Sequence, residues 1–151
     1  MKYLIPATCL LMCIGCKEEI LPEAPELELV SVSPTTMTAH AEPVEVVLYY
    51  RDAQGDIGKS DADAYSLWMR DARLNADDGF HLPPMTPVDS MGGGYLELQI
   101  EGNLVVQVPP LFVIGGGNEE TTTLSFTLED RAGNRSPTVV TPLLTIQDTV
   151  Q

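Results

Sequence analysis

Apolar residues recur at every second position in several short runs of this chain, and turn-forming residues separate the runs. This period of two is typical of β-strands that bury one face and expose the other. No amphipathic helical pattern of comparable length is present, although residues 61–74 contain helix-favouring Ala, Leu, Met and Arg. The pattern therefore predicts an all-β protein of about seven strands, at residues 27–33, 44–51, 65–70, 96–101, 104–108, 124–129 and 140–146.

Local details refine three of these strands. The alternation changes phase between Leu29 and Val30, which predicts a β-bulge. The pair Gly102-Asn103 separates two alternating runs and tolerates positive φ, so it predicts a tight hairpin. Pro142 cannot donate a ladder hydrogen bond, so the last strand is expected at a sheet edge or with a bulge.

Strands of this number and length within about 120 residues favour a single immunoglobulin-like, fibronectin III-like β-sandwich over residues 27–147. Trp68, in the third strand, is expected in the core or half-buried, and ligand stacking is its alternative role.

The first fifteen residues have the layout of a signal peptide, with Lys2 followed by an apolar stretch at 4–14. That stretch is too short to span a bilayer of about 30 Å as a helix. It ends in Cys13-Ile14-Gly15-Cys16, which resembles the lipobox of bacterial lipoproteins, although Cys13 replaces the usual leucine. The resemblance implies cleavage before Cys16 and acylation of its sulfur. An ordinary signal peptide with an incidental cysteine is the alternative.

Residues 16–26 are interpreted as the acylated cysteine and an extended tether. Lys17-Glu18-Glu19 resembles the lipoprotein export signal of the Bacteroidota, and the prolines that follow stiffen the chain. The resemblance implies a lipid-anchored, surface-exposed protein of the bacterial outer membrane, with the membrane as a partner. A merely solvated tether is the alternative.

Charge and cysteine content exclude several function classes. The formal net charge is −14, which disfavours binding to nucleic acid. All three cysteines lie within the first sixteen residues, so the predicted domain can hold neither a disulfide nor a thiolate metal site.

Two segments, residues 50–58 and 128–136, resemble loops of the Ig-like domains of Bacteroidota surface lipoproteins. Those domains carry D-x-D-G-D-x-G after an early strand and D-x-A-G-N-x-S near the end, and have no agreed activity. Here Gln54 replaces the second acid. The resemblance extends over residues 27–147 and implies the sandwich fold.

Turn chemistry alone accounts for these loops, because Gly55, Gly58 and Gly133 supply positive φ and the acidic side chains cap backbone N–H groups. In an immunoglobulin-like sandwich, however, both loops lie at one end. The alternative to plain turns is then a Ca²⁺ site, since Ca²⁺ takes oxygen ligands, and no other cofactor is expected. Ile57 stands where an EF-hand needs glycine. The candidate ligands are Asp52, Asp56, Asp130 and Asn134, with Asp61 and Asp63 nearby.

No catalytic motif is present, and His40 and His81 lie on separate loop-like stretches. The sequence therefore favours a non-enzymatic surface module, structural or interacting with another envelope protein. The alternative is a carbohydrate-binding accessory lipoprotein of an outer-membrane nutrient-uptake system. Stacking on polysaccharide would need exposed, coplanar rings among Tyr49, Tyr65, Trp68, Phe80 and Tyr95.

Overall fold

A computed structural model describes residues 22–85 and 99–148. Within these ranges the chain forms ten strands and no helix, so the predicted all-β class is confirmed. Accordingly, no helix of the described residues could cross a membrane. The strands are β1 (Glu26–Ser33), β2 (Thr36–Thr38), β3 (Val44–Asp52), β4 (Leu67–Asp71), β5 (Asp78–Phe80), β6 (Ile100–Val108), β7 (Glu119–Thr122), β8 (Leu124–Leu128), β9 (Val139–Val140) and β10 (Leu144–Gln147).

The strands form three sheets, ordered β1-β3-β6, β2-β10-β7 and β5-β4-β8-β9, and consistent with an all-β sandwich. All pairings are antiparallel except that of β2 with β10. Every second residue of β3 and β8 points into one core, as the alternation predicts. The immunoglobulin-like type of the sandwich stays a prediction. The fully buried apolar side chains of β3 and β8 are Val44, Val46, Leu48, Leu124, Phe126 and Leu128.

The bulge in the first strand is confirmed. Leu29 pairs with Leu48, but Ser31 pairs with Val47, so Val30 is the extra residue. Val30 is exposed, and the shift brings Val32 opposite the buried Val46, so that Val32 packs against the core on the same face as Leu27 and Leu29.

The prediction of a hairpin at Gly102-Asn103 is wrong. β6 runs straight through these residues, and Gly102 pairs with Tyr50 of β3. A Cβ at Gly102 would lie 3.1 Å from the hydroxyl oxygen of Tyr50, so the glycine makes room for a neighbouring ring. The uninterrupted ladder with β3 outweighs the local turn preference of the pair. Residues 96–98 lie outside the described residues.

The prediction of a single last strand is also wrong, because the chain passes from one sheet to another around Pro142. β9 pairs with β8, whereas β10 joins β2 and β7. Thr141 forms two hydrogen bonds with Leu124, the first residue of β8. The Thr141 N–H donates to Leu124 O at 2.9 Å, and Thr141 Oγ1 accepts from Leu124 N at 3.0 Å. Pro142, which has no N–H, follows where the ladder ends.

The third strand is confirmed as β4, with Trp68 half-buried as expected, and the helical alternative for residues 61–74 does not form. The stretch that was predicted to be irregular or weakly extended, from residue 75 onward, contains the short strand β5 at Asp78–Phe80. The signal peptide 1–15, Cys16, the tether up to residue 21 and Tyr95 lie outside the described residues.

Candidate metal centre

The two motif loops lie side by side at one end of the domain. Ile57, whose side chain is fully buried, forms an isolated bridge with Asp130. Arg131 N donates to Asp56 O at 2.9 Å. The predicted positive φ of the loop glycines is confirmed, at 65° for Gly55, 85° for Gly58 and 90° for Gly133. The buried Ile57 side chain and the glycines with positive φ therefore allow the two loops to turn toward each other.

Three of the four predicted ligands converge. Asp52, Asp56 and Asp130 each offer a carboxylate oxygen, and these oxygens lie within 4.8 Å of one another. Asp52 and Asp130 are each 1% exposed. Asp52 is the last residue of β3 and Asp130 lies two residues after the end of β8, so these two strands position the carboxylates of Asp52 and Asp130.

Asn134, the fourth predicted ligand, holds Asp130 in place. Its backbone N donates to Asp130 Oδ1 and its Nδ2 to Asp130 Oδ2, both at 2.8 Å. By contrast, Asp61 and Asp63 are exposed and lie outside the carboxylate cluster, where Asp63 N donates to Asp61 Oδ1 at 3.0 Å.

Two carboxylate oxygens of the cluster are buried without a hydrogen-bond donor among the described residues, Asp52 Oδ1 and Asp56 Oδ1. The other oxygen of Asp52 accepts from Asp56 N at 2.7 Å. Buried polar atoms are almost always satisfied in folded proteins, because an unmet acceptor costs about 1–3 kcal/mol. The two free oxygens therefore mark a place for a proton or a cation.

The electrostatics of the cluster point the same way. Burial raises the pKa of Asp56, and the neighbouring carboxylates of Asp130 and Asp52 raise it further, while Arg131 opposes them. The Arg131 guanidinium itself donates to the backbone oxygens of Gly55, at 3.3 Å, and of Ile57, at 3.2 Å. None of the salt bridges within residues 22–85 and 99–148 includes a carboxylate of the cluster.

A second polar site lies on the outer face of β4 and β8. It is a groove of about 270 Å³, which we call the Trp68 groove. Tyr65 meets Trp68 edge-on, with ring centroids 5.7 Å apart and planes at 82°. The guanidinium of Arg135 lies 5.9 Å from the Trp68 ring centroid. The groove is lined by Trp68, Met69, Arg70, Asp77, Ser125, Thr127, Arg135 and Thr138.

The described rings of the candidate sugar-stacking residues, which exclude Tyr95, therefore do not form a flat platform. Tyr65 is 41% exposed but perpendicular to Trp68, and Tyr49 and Phe80 are half-buried. Tyr49 donates its hydroxyl to Glu101 at 2.9 Å. Sequence reasoning missed the cationic and hydroxyl lining of the groove, although the outward positions of the alternating strands carried that signal.

A buried ion pair, also missed from the sequence, joins two sheets beside the core. Arg73 Nη2 lies 2.6 Å from Asp71 Oδ2, and Arg73 Nη1 lies 2.9 Å from Glu120. Thr122 donates to Asp71 at 2.5 Å. Asp71 ends β4 and Thr122 ends β7, so this network fastens separate sheets together.

Comparison with known proteins finds no family model that matches this chain, no similar curated protein and no similar solved structure.

Proposed function

We propose that this protein is a non-enzymatic lipoprotein of a bacterial outer membrane, with an immunoglobulin-like sandwich displayed for contact with other envelope components. The proposal is supported by the start of β1 at Glu26, where the predicted tether ends. Residues 16–26 span at most about 35 Å when fully extended. A lipid on Cys16 would therefore hold the folded domain close to the membrane surface.

The surroundings of the histidines support a role without acid–base catalysis. His40 is exposed and stacks on Phe112, with ring centroids 5.3 Å apart. His81 is also exposed, and its Nδ1 lies 3.0 Å from Ala64 O. Neither ring faces the carboxylate cluster or lines the Trp68 groove.

Metabolic labelling with an alkyne-tagged fatty acid tests the anchor. We expect the label on wild-type protein and on Cys9→Ser, because Cys9 belongs to the cleaved leader, and none on Cys16→Ser. Mass spectrometry of the mature protein should place the amino terminus at an acylated Cys16. Equal labelling of both variants, or a free thiol at position 16, would refute the lipid anchor. Protease treatment of intact cells then tests surface exposure.

Binding of a polysaccharide is a second candidate, favoured by the lining of the Trp68 groove. The hydroxyls of Ser125, Thr127 and Thr138 lie there with two guanidiniums, from Arg70 and Arg135. These side chains are 54% and 57% exposed, and each already pairs with a carboxylate, Arg70 with Asp77 and Arg135 with Glu129. Guanidinium groups bind carboxylates, often through two parallel hydrogen bonds, which favours a saccharide that carries uronic acids.

A glycan array with neutral and uronate-containing polysaccharides tests this second candidate. We expect the wild type to bind the uronate-containing polysaccharides and Arg135→Gln to bind them more weakly. Arg51→Gln is the control and should bind like wild type, because the Arg51 guanidinium contacts Gln99 outside the groove. Absence of binding to every polysaccharide would remove the carbohydrate alternative and leave the proposed surface module.

A further inference from the structure

The carboxylates of Asp52, Asp56 and Asp130 form a buried, highly charged cluster that the lipid anchor and the Trp68 groove do not involve. We propose that they bind one Ca²⁺, and that this ion fixes the junction between the domain and its tether. The ion would join the loop after β3 to the turn after β8, which otherwise meet through Ile57 and Arg131.

The Asp52 side chain is the independent sign of a missing ligand. It is 1% exposed, yet its Oδ1 has no hydrogen-bond donor among the described residues. Asp56 Oδ1 is in the same position. A carboxylate withdrawn from water needs a counter-charge or a full set of donors, and among the described residues the Asp52 side chain has one donor, the Asp56 N–H, and no salt bridge. A bound cation would satisfy both oxygens at once.

Chemistry and dimensions favour calcium. Carboxylate oxygens are hard donors, and Ca²⁺ binds them at about 2.3–2.6 Å, so ligands on opposite sides of the ion lie about 5 Å apart. The cluster's oxygens lie within 4.8 Å of one another. The shorter Mg–O bond of about 2.1 Å would require a tighter and octahedral arrangement. Together with the nearby Arg131, a divalent ion would balance the three negative charges.

The same two loops hold the end of the tether. Gln54 Nε2 donates to Pro22 O at 3.1 Å. Asn134 Nδ2 donates to Glu23 O at 3.3 Å as well as to Asp130. Each loop therefore presents one amide to the residues that precede β1. An ion that fixes the loops would fix both amides and thereby the direction in which the tether leaves the domain.

Thermal melting of the full chain, purified in detergent with its native processing, tests the metal site. With CaCl₂ at about 100 times the dissociation constant, we expect the melting temperature to exceed that in EDTA by roughly 5–15 °C. Asp52→Asn and Asp56→Asn should each lose this response. Asp63→Asn is the matched control, because Asp63 is exposed and outside the cluster, and it should respond like wild type.

Two results would overturn the site: equal melting temperatures in calcium and in EDTA, or an equal calcium response in Asp52→Asn and Asp63→Asn. Isothermal titration of the wild-type protein with CaCl₂ tests the site without any variant, because the proposal requires one bound ion per chain. An equal affinity for MgCl₂ would overturn the assignment to calcium.

Digestion by a glutamate-specific protease tests the link to the tether. We expect cleavage after Glu23 to be at least about 10-fold slower in calcium than in EDTA, because a docked segment must open before it is cut. Gln54→Ala should reduce that protection. An unchanged rate would overturn the tether coupling, whereas the melting result judges the ion site separately. Neither assay depends on acylation of Cys16, so a failed anchor is distinguished from a failed metal site.

Discussion

Replacing Asp71 by alanine should strongly destabilise the domain. Asp71 is 4% exposed and accepts hydrogen bonds from the Arg73 guanidinium and from the Thr122 hydroxyl. The Arg73 side chain is itself only 11% exposed. Without Asp71, this guanidinium would keep Glu120 and Phe112 O but would lose its most buried partner.

Removal of one partner from a buried ion pair costs about 3–5 kcal/mol when the other charge is left unpaired, and we expect the lower part of that range, about 3–4 kcal/mol, because Glu120 still pairs with the guanidinium. Urea denaturation monitored by circular dichroism measures this loss. With a denaturant slope of about 2 kcal/mol per molar, the unfolding midpoint should fall by roughly 2 M.

Asp77→Ala provides the matched control. Asp77 also pairs with an arginine, Arg70, but the two side chains are 39% and 54% exposed. An exposed ion pair contributes about 0–1 kcal/mol, so this variant should unfold close to wild type. If Asp71→Ala and Asp77→Ala have the same midpoint, then burial does not determine the strength of these pairs and the reasoning is wrong.

Two further predictions concern pH and loop geometry. Burial alone would raise the pKa of Asp71, but hydrogen bonds from Arg73 and Thr122 outweigh it and hold the pKa below its usual value. Its stabilising contribution is therefore complete above the ordinary carboxyl pKa of about 4 and is lost as the pH falls through the lower folded value. The cost of Asp71→Ala should shrink in urea titrations at about pH 3 relative to about pH 7, and a constant cost would contradict the assignment. Gly58→Ala should destabilise more than Gly133→Ala, because both have positive φ but only the Gly58 Cβ would meet backbone, 2.0 Å from Pro83 O. Strain alone costs about 1–2 kcal/mol at Gly133, and equal urea midpoints for the two variants would contradict the steric argument.

The alternation of apolar residues was enough to predict which side of β3 and of β8 faces the core. In β3 and β8 the buried positions are those that the period of two selects, because successive side chains of a strand point to opposite faces wherever it pairs. The bulge at Val30 was predictable from a break in this alternation, and the positive φ of Gly55, Gly58 and Gly133 from the turn chemistry of their loops. These features depend on a few neighbouring residues.

Strand partners were decided only in three dimensions. Gly102-Asn103 has the local chemistry of a turn, yet it lies within β6 because β3 offers a continuous ladder and the Tyr50 ring needs the space above the glycine. At Pro142 the prediction of one strand failed, since the chain passes there from one sheet to another. Pairing energy between distant segments exceeds the local preference in both places.

The candidate site divides in the same way. The sequence predicted that the two motif loops could bring their acidic side chains together, but only the structure decided that Asp52, Asp56 and Asp130 converge, through the bridge between Ile57 and Asp130. No local signal links Asp71 to Thr122, 51 residues away in sequence. Such contacts exist only after the sheets have packed, because burial rather than spacing creates the need for a partner.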